Sequence, residues 1–204
     1  RAELDTDNDG DTDITDDACG DLPNINMVKN FVSAVPNGNG TFNVTYTVVV
    51  SNPGTVAGTY GLKDTPLFDN DVTINSGTYS GQASGSMNTS GTTTLATNAA
   101  IAAGASHTYN VTFNVSLNLA PGSPDGGDNI YTACAVPGNG PGSNTGQGLY
   151  NRATVDTDND GDTDLTDDAC GDLPNINMVK NFVSAVPVGN GTFNVTYTIA
   201  VSNN

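Results

Sequence analysis

A stretch of 49 residues occurs twice in this chain of 204, at a constant offset of 151. Residues 156–204 reproduce residues 5–53 with five substitutions: Ile14/Leu165, Asn37/Val188, Val48/Ile199, Val49/Ala200 and Pro53/Asn204. That period is far beyond the roughly 20–50 residues of solenoid and propeller units. It is long enough for each unit to bury a core of its own. The chain therefore reads as one bead and the start of the next, and we expect it to be a segment of something longer.

Within the bead the hydrophobic period is two. Phe42, Val44, Tyr46, Val48 and Val50 alternate with Thr41, Asn43, Thr45 and Thr47; Tyr109, Val111, Phe113 and Val115 alternate with Thr108, Asn110, Thr112 and Asn114. Half-buried strands have this pattern. Asn37-Gly38-Asn39-Gly40, Asn52-Pro53-Gly54 and Gly138-Asn139-Gly140-Pro141-Gly142 supply turns between them. Ala96–Ala105 is the one helical candidate, and it reads equally well as a loop. The expected fold is all-β: an immunoglobulin-like antiparallel β-sandwich over residues 22–155. Acidic segments 1–21 and 156–172 flank it, and residues 173–204 supply the first strands of the next repeat.

Those flanks hold nearly all of the charge. The net charge is -17, and 16 of the 22 acidic residues lie in Asp5–Asp21 and Asp156–Asp172, eight in each. The remaining six (Glu3, Asp64, Asp69, Asp71, Asp125 and Asp128) nearly balance five basic residues. A basic footprint for nucleic acid is absent, as is a polybasic membrane patch. No apolar run approaches the ~20 residues of a membrane span.

In "DTDNDGDTDITD", Asp5, Asp7, Asp9, Asp11, Asp13 and Asp16 stand at loop positions 1, 3, 5, 7, 9 and 12, with Gly10 at position 6. This is the ligand spacing of an EF-hand calcium loop, with Asp replacing the final Glu. It also resembles the loops of thrombospondin type 3 repeats and dockerins. Asp156, Asp158, Asp160, Asp162, Asp164 and Asp167 repeat it. Asp17 and Asp21, with Asp168 and Asp172, complete the shell or serve a second ion. Two carboxylates ~4 Å apart repel by up to about 4 kcal/mol at a surface-like dielectric, so a compact loop of six needs a cation. Hard oxygen donors favour Ca²⁺, and the thiolate and imidazole ligands of zinc are lacking. The competing reading is a solvated acidic linker. EF-hand signalling and dockerin pairing need helical flanks, whereas here the flanks read as strands. Each loop is expected to be a calcium-stiffened joint between one sandwich and the next.

The phrases "GTFNVTYTVVVSNPGTVAGTYGLKDTP" and "GLYNRATV" resemble the immunoglobulin-like repeat domains of very large bacterial surface proteins, and "DDACGDLP" resembles the segment that often ends them. The resemblance implies a stalk, fibre or adhesin, usually extracellular. Two cysteines per period suggest one disulfide per bead. Cys134 can pair with Cys170 or with Cys19. The likeness of "DDACGDLP" to a domain end favours Cys134–Cys170, leaving Cys19 for the preceding repeat.

Lys29 is oddly placed. In "INMVKNFVS" it shares a face with Ile25, Met27 and Phe31, which should point inward. Asn151 shares the inward face of Leu149, Ala153 and Val155, and Asp64 stands beside Leu62. An unpaired buried Lys is costly. An inward Lys on the first strand, an Asn on the last and an acid between them resemble the self-forming Lys–Asn isopeptide bonds of bacterial surface domains. A buried Lys29–Asp64 ion pair is a second possibility, and a slipped alternation that takes Lys29 to the rim is a third. His107 reads as a rim residue. Asn43, Asn110 and Asn114 lie in sequons that Asn/Thr alternation produces by chance. Tyr60 and Tyr79 read as exposed and able to stack on a sugar.

These residues predict no enzyme beyond a one-turnover crosslink. They predict a structural repeat of an extracellular filament or cell-surface stalk, with other copies of the repeat as partners. The alternative is an adhesin module whose loops bind glycan or protein. Filament assembly can run through one covalent chain or through strand exchange between subunits.

Overall fold

The computed structural model describes residues 1–118, 148–174 and 176–203. Among these, every regular element is a β-strand. A small hairpin, β1 (Ala2–Leu4) and β2 (Ile14–Asp16), comes first. Next come β3 (Asn26–Pro36), β4 (Thr41–Ser51), β5 (Gly58–Pro66), β6 (Val72–Gly81), β7 (Gly85–Ser86), β8 (Thr93–Ile101) and β9 (Ser106–Leu117). β10 (Asn151–Asp156), β11 (Leu165–Ala169), β12 (Ile176–Gly189) and β13 (Thr192–Asn203) follow. A five-stranded sheet has the order β3-β4-β9-β6-β7, a four-stranded sheet the order β11-β10-β5-β8, and every pairing is antiparallel.

The two alternating stripes lie side by side. Val44 faces Phe113, Tyr46 faces Val111 and Val48 faces Tyr109 across β4 and β9, and all six are fully buried. Tyr60 and Leu62 of β5, Leu95 of β8, and Ala153 and Val155 of β10 meet them in one core shared by both sheets. Each of the larger aliphatic and Phe side chains contributes about 1.5–3 kcal/mol by leaving water. On the outer face the intervening polar residues form a ladder. Asn75 donates to Asn114 and Asn114 to Asn43, each at 3.1 Å, so these asparagines join β6, β9 and β4.

Two expectations change. The Ala96–Ala105 stretch is strand for most of its length, because β8 pairs with β5 and buries Leu95 and Ile101. Tyr60 is not exposed. It is wholly buried, and its hydroxyl meets Tyr109 Oη and His107 Nδ1, each at 2.8 Å. Tyr79 is half-buried.

The second acidic segment belongs to the sandwich. β11 pairs with β10 in register Asn151↔Ala169 to Val155↔Leu165, so residues 157–164 are the tip of a hairpin at the sheet edge. Beyond β11 the chain runs under Phe31. A Cβ added at Gly171 would lie 2.1 Å from that ring, so only glycine fits. The Gly171 carbonyl accepts the Leu149 amide at 3.0 Å, and Leu173 is buried. β12 and β13 pair only with each other among the described strands, and their apolar side chains are exposed.

Candidate functional site

Each acidic loop is shaped by its own side chains. Asn8 and Gly10 adopt the left-handed conformation (φ 60° and 97°), as do Asn159 and Gly161 (φ 61° and 101°). Asn and Gly tolerate that region best. The resulting turn aims the Asn8 and Gly10 amides at the Asp5 carboxylate, at 2.6 and 3.0 Å. Asn159 and Gly161 meet Asp156 at the same distances. Across the loop, Thr6 donates its amide (2.7 Å) and hydroxyl (2.5 Å) to Asp13 Oδ2, and Thr157 does the same to Asp164 at 2.7 and 2.6 Å.

These donors favour the ionised acids. The Gly10 amide above all holds the Asp5 carboxyl below its ordinary value. The hydroxyls of Thr6 and Thr157 do so for Asp13 and Asp164. Asp158 goes the other way: the Asp160 amide lowers its pKa, but desolvation and the carboxylates of Asp160, Asp164 and Asp156 together raise it. Negative charge is thus gathered at one point.

Carboxylate oxygens of Asp5, Asp7 and Asp13 lie within 4.8 Å of one another, as do those of Asp156, Asp158 and Asp164. Two oxygens sharing one Ca²⁺ at about 2.3–2.6 Å can be at most about 5 Å apart, so each trio fits a single hard cation. The other expected ligands lie outside the trios. Asp9 and Asp160 accept the amides of Asp11 and Asp162, at 2.9 Å each. Asp11 and Asp162 are exposed at the loop tips, Asp16 is exposed at the end of β2, and Asp17 is exposed just beyond it. Asp167 and Asp168 turn to the sandwich. Asp167 Oδ2 accepts the Lys29 amide at 2.7 Å, and Asp168 pairs with Arg152 at 2.8 Å.

Position matters as much as chemistry. Thr157, Asp158, Asp164 and Leu165 line one cavity with Leu22, Pro23, Asn24 and Ile25. The loop therefore sits at the end of the sandwich where the chain arrives, and β11 carries the chain back towards the other end. Asn159 Nδ2 ties it further to Thr59 at the start of β5, at 2.9 Å.

A second cluster lies in the core. Lys29, Asp64 and Asn151 are 4%, 0% and 0% exposed. The rim reading of Lys29 is therefore corrected: the β3 alternation holds, and Lys29 Nζ donates to Asp64 Oδ2. Cys19 is exposed and free. Cys134 lies outside the described residues, and with it the Cys134–Cys170 pairing.

Sequence reasoning missed Thr6, Thr157, Asn8 and Asn159, although short polar residues at Asx-type turns are a readable signal. It also missed Arg152, which grips Asp168 and, at 3.2 Å, the Tyr150 hydroxyl. Among the described residues no helix is long and apolar enough to cross a membrane. No protein-family model matches the chain, and no curated protein matches it significantly.

Proposed function

We propose that this chain is a repeat segment of an extracellular filament or surface stalk. In this reading its sandwiches are immunoglobulin-like, and Ca²⁺ in the acidic loops stiffens the junctions between them. The observation that carries the reading is the placement of the Asp156–Asp158–Asp164 trio on a hairpin of the sandwich's own sheet, beside the arriving segment Leu22–Ile25. A cation held there joins the last two strands of a bead to the place where the preceding repeat hands over. Asp156, Asp158 and Asp164 would hold it, and the ion would supply the positive charge that lets three carboxylates share one point. The hydrogen bonds from Asn159, Gly161 and Thr157 already orient Asp156 and Asp164 for that role.

Calcium removal tests this. A ligand that binds only the folded state stabilises it by about 2.7 kcal/mol at a hundred times its Kd. For a chain of this size that raises the melting temperature by about 5–10 °C. We expect calorimetry to show one strong Ca²⁺ per loop, and a chelator to lower the melting of the sandwich by that amount. The double substitution Asp156→Asn/Asp158→Asn should abolish the calcium-dependent shift, while Asp5→Asn/Asp7→Asn should leave it in place. Absence of heat on titration, with melting indifferent to chelator, would sink the proposal.

A further inference from the structure

Three side chains that a sandwich core ordinarily excludes meet between β3, β5 and β10. Lys29 and Asp64 form an ion pair with both side chains wholly shielded from solvent. Asp64 faces Ala153 across β5 and β10, and Asn151 stands two residues from Ala153 on the same inward face. Such diagonal neighbours on adjacent strands are within reach of one another. Asn151 is near enough to act on the Asp64 carboxylate. By distance and angle neither atom of its amide makes a hydrogen bond, nor does Asp64 Oδ1, although the amide lies close enough to lower the Asp64 pKa as a weak hydrogen bond would. A buried primary amide without partners is costly, and so is a buried charge pair with a spare lone pair. One reaction removes both defects.

We propose that Lys29 Nζ and Asn151 Cγ form an intramolecular isopeptide bond, with Asp64 carrying the protons. Burial pushes the Lys29 ammonium below its ordinary pKa and the Asp64 carboxyl above its own, against their mutual attraction. A proton passing from Nζ to Asp64 leaves a neutral amine and a neutral acid in a dry site. The amine lone pair attacks Cγ, forming the Nζ–Cγ bond, while the Asp64 O–H supports the charge developing on Asn151 Oδ1. The second proton of Nζ moves through Asp64 to Nδ2. The Cγ–Nδ2 bond breaks and ammonia leaves, with Asp64 still protonated. No oxidant or cofactor is consumed. The product is a neutral secondary amide whose carbonyl accepts from Asp64, so the buried charges and the orphaned amide are gone together. The Tyr46 ring, its centroid 5.1 Å from Nζ, closes the site on the side of β4.

The chain carries its own control. Lys180 occupies the same sequence context as Lys29, but it is exposed on the β12–β13 hairpin. The test is the intact mass of the purified, reduced chain, followed by tryptic mapping after denaturation. Expected are a deficit of about 17 Da, one ammonia, and a branched peptide joining Lys29 to Asn151. Trypsin should fail to cut after Lys29 while cutting normally after Lys180. Lys29→Met, and Asp64→Asn with its fold checked by circular dichroism, should restore the full mass. An unshifted wild-type mass with free cleavage at Lys29 overturns the proposal and leaves a plain ion pair. A deficit mapping instead to an Asn-Gly succinimide, which also loses ammonia, overturns it equally.

Discussion

The β3–β4 hairpin and its copy β12–β13 share almost every residue, yet one is the heart of the sandwich and the other a bare ribbon. Tyr46 is 0% exposed and its counterpart Tyr197 50%. Pairing register survives the change. Both hairpins slip at the same place, between Phe31 and Ser33 and between Phe182 and Ser184. The acidic hairpins show the reverse order: β1–β2 stands clear of the core while β10–β11 is built into it, and the six hydrogen bonds common to their loops agree to within a tenth of an ångström. Leu22 is 83% exposed and Leu173 only 3%. The bulge after Phe31 and Phe182 and the register beside it are thus written locally, whereas burial comes from neighbours; the turns differ beside the Asn37/Val188 substitution, where β12–β13 slips again between Pro187 and Gly189. Two strands alone are marginal; β4 gains β9 on its open edge, and β13 has no such partner among the described strands.

The largest test of that contrast is a pair of identical substitutions. Tyr46→Ala should cost about 3–5 kcal/mol in denaturant unfolding, as other large aromatic truncations do. Tyr197→Ala should stay within about 0.5 kcal/mol, the range of an exposed site. Equal losses would mean that the second hairpin is also embedded. A smaller effect is expected at the glycines. Gly171→Ala drives a methyl into Phe31 and should cost about 1–3 kcal/mol. Gly20→Ala, with nothing within 4 Å, should change melting hardly at all.

The smallest effect is electrostatic. Asp164 has its folded pKa depressed, chiefly by Thr157. Its contribution to stability is therefore present above the unfolded value of about 4 and is lost as pH falls through the folded value. Asp164→Asn, measured in chelator, should flatten the acid limb of the stability curve below about pH 4. Asp13→Asn should leave the sandwich's acid limb as it is. An unchanged limb in the Asp164 variant would place the loop outside the cooperative unit.

Much of this was legible because alternation is a strong signal. β4 and β9 read directly, and the same period of two points Asp64 and Asn151 inward, while Lys29 stays open between the core and the rim until its burial decides it. β8 was not legible. Its alanines carry little strand preference, and register shifts opposite Leu62 break the period. β11 looks like loop because Asp167 and Asp168 are acidic; their partners Lys29 and Arg152 become visible only once the fold assembles them. Tyr60 was the avoidable miss, since it shares a face with Leu62 and Asp64. In the loops the spacing contained the trio but did not separate it from Asp9, Asp11 and Asp16, and the diversion of Asp167 was not legible because the amide it binds lies 138 residues away.

The duplicated hairpin also has a kinetic meaning. Two nearly interchangeable ribbons compete for the same groove opposite β9 and β10, which is the circumstance in which tandem domains exchange segments and become trapped. Of the inward-facing positions along these hairpins, only Val48/Ile199 differs, by one methylene beside Tyr109. Selection therefore falls to connectivity: β4 reaches β5 through six residues, whereas β13 would have to close a far longer loop at greater entropic cost. The first ribbon also leaves the ribosome first, so order of synthesis and shortness of tether together decide which copy fills the bead.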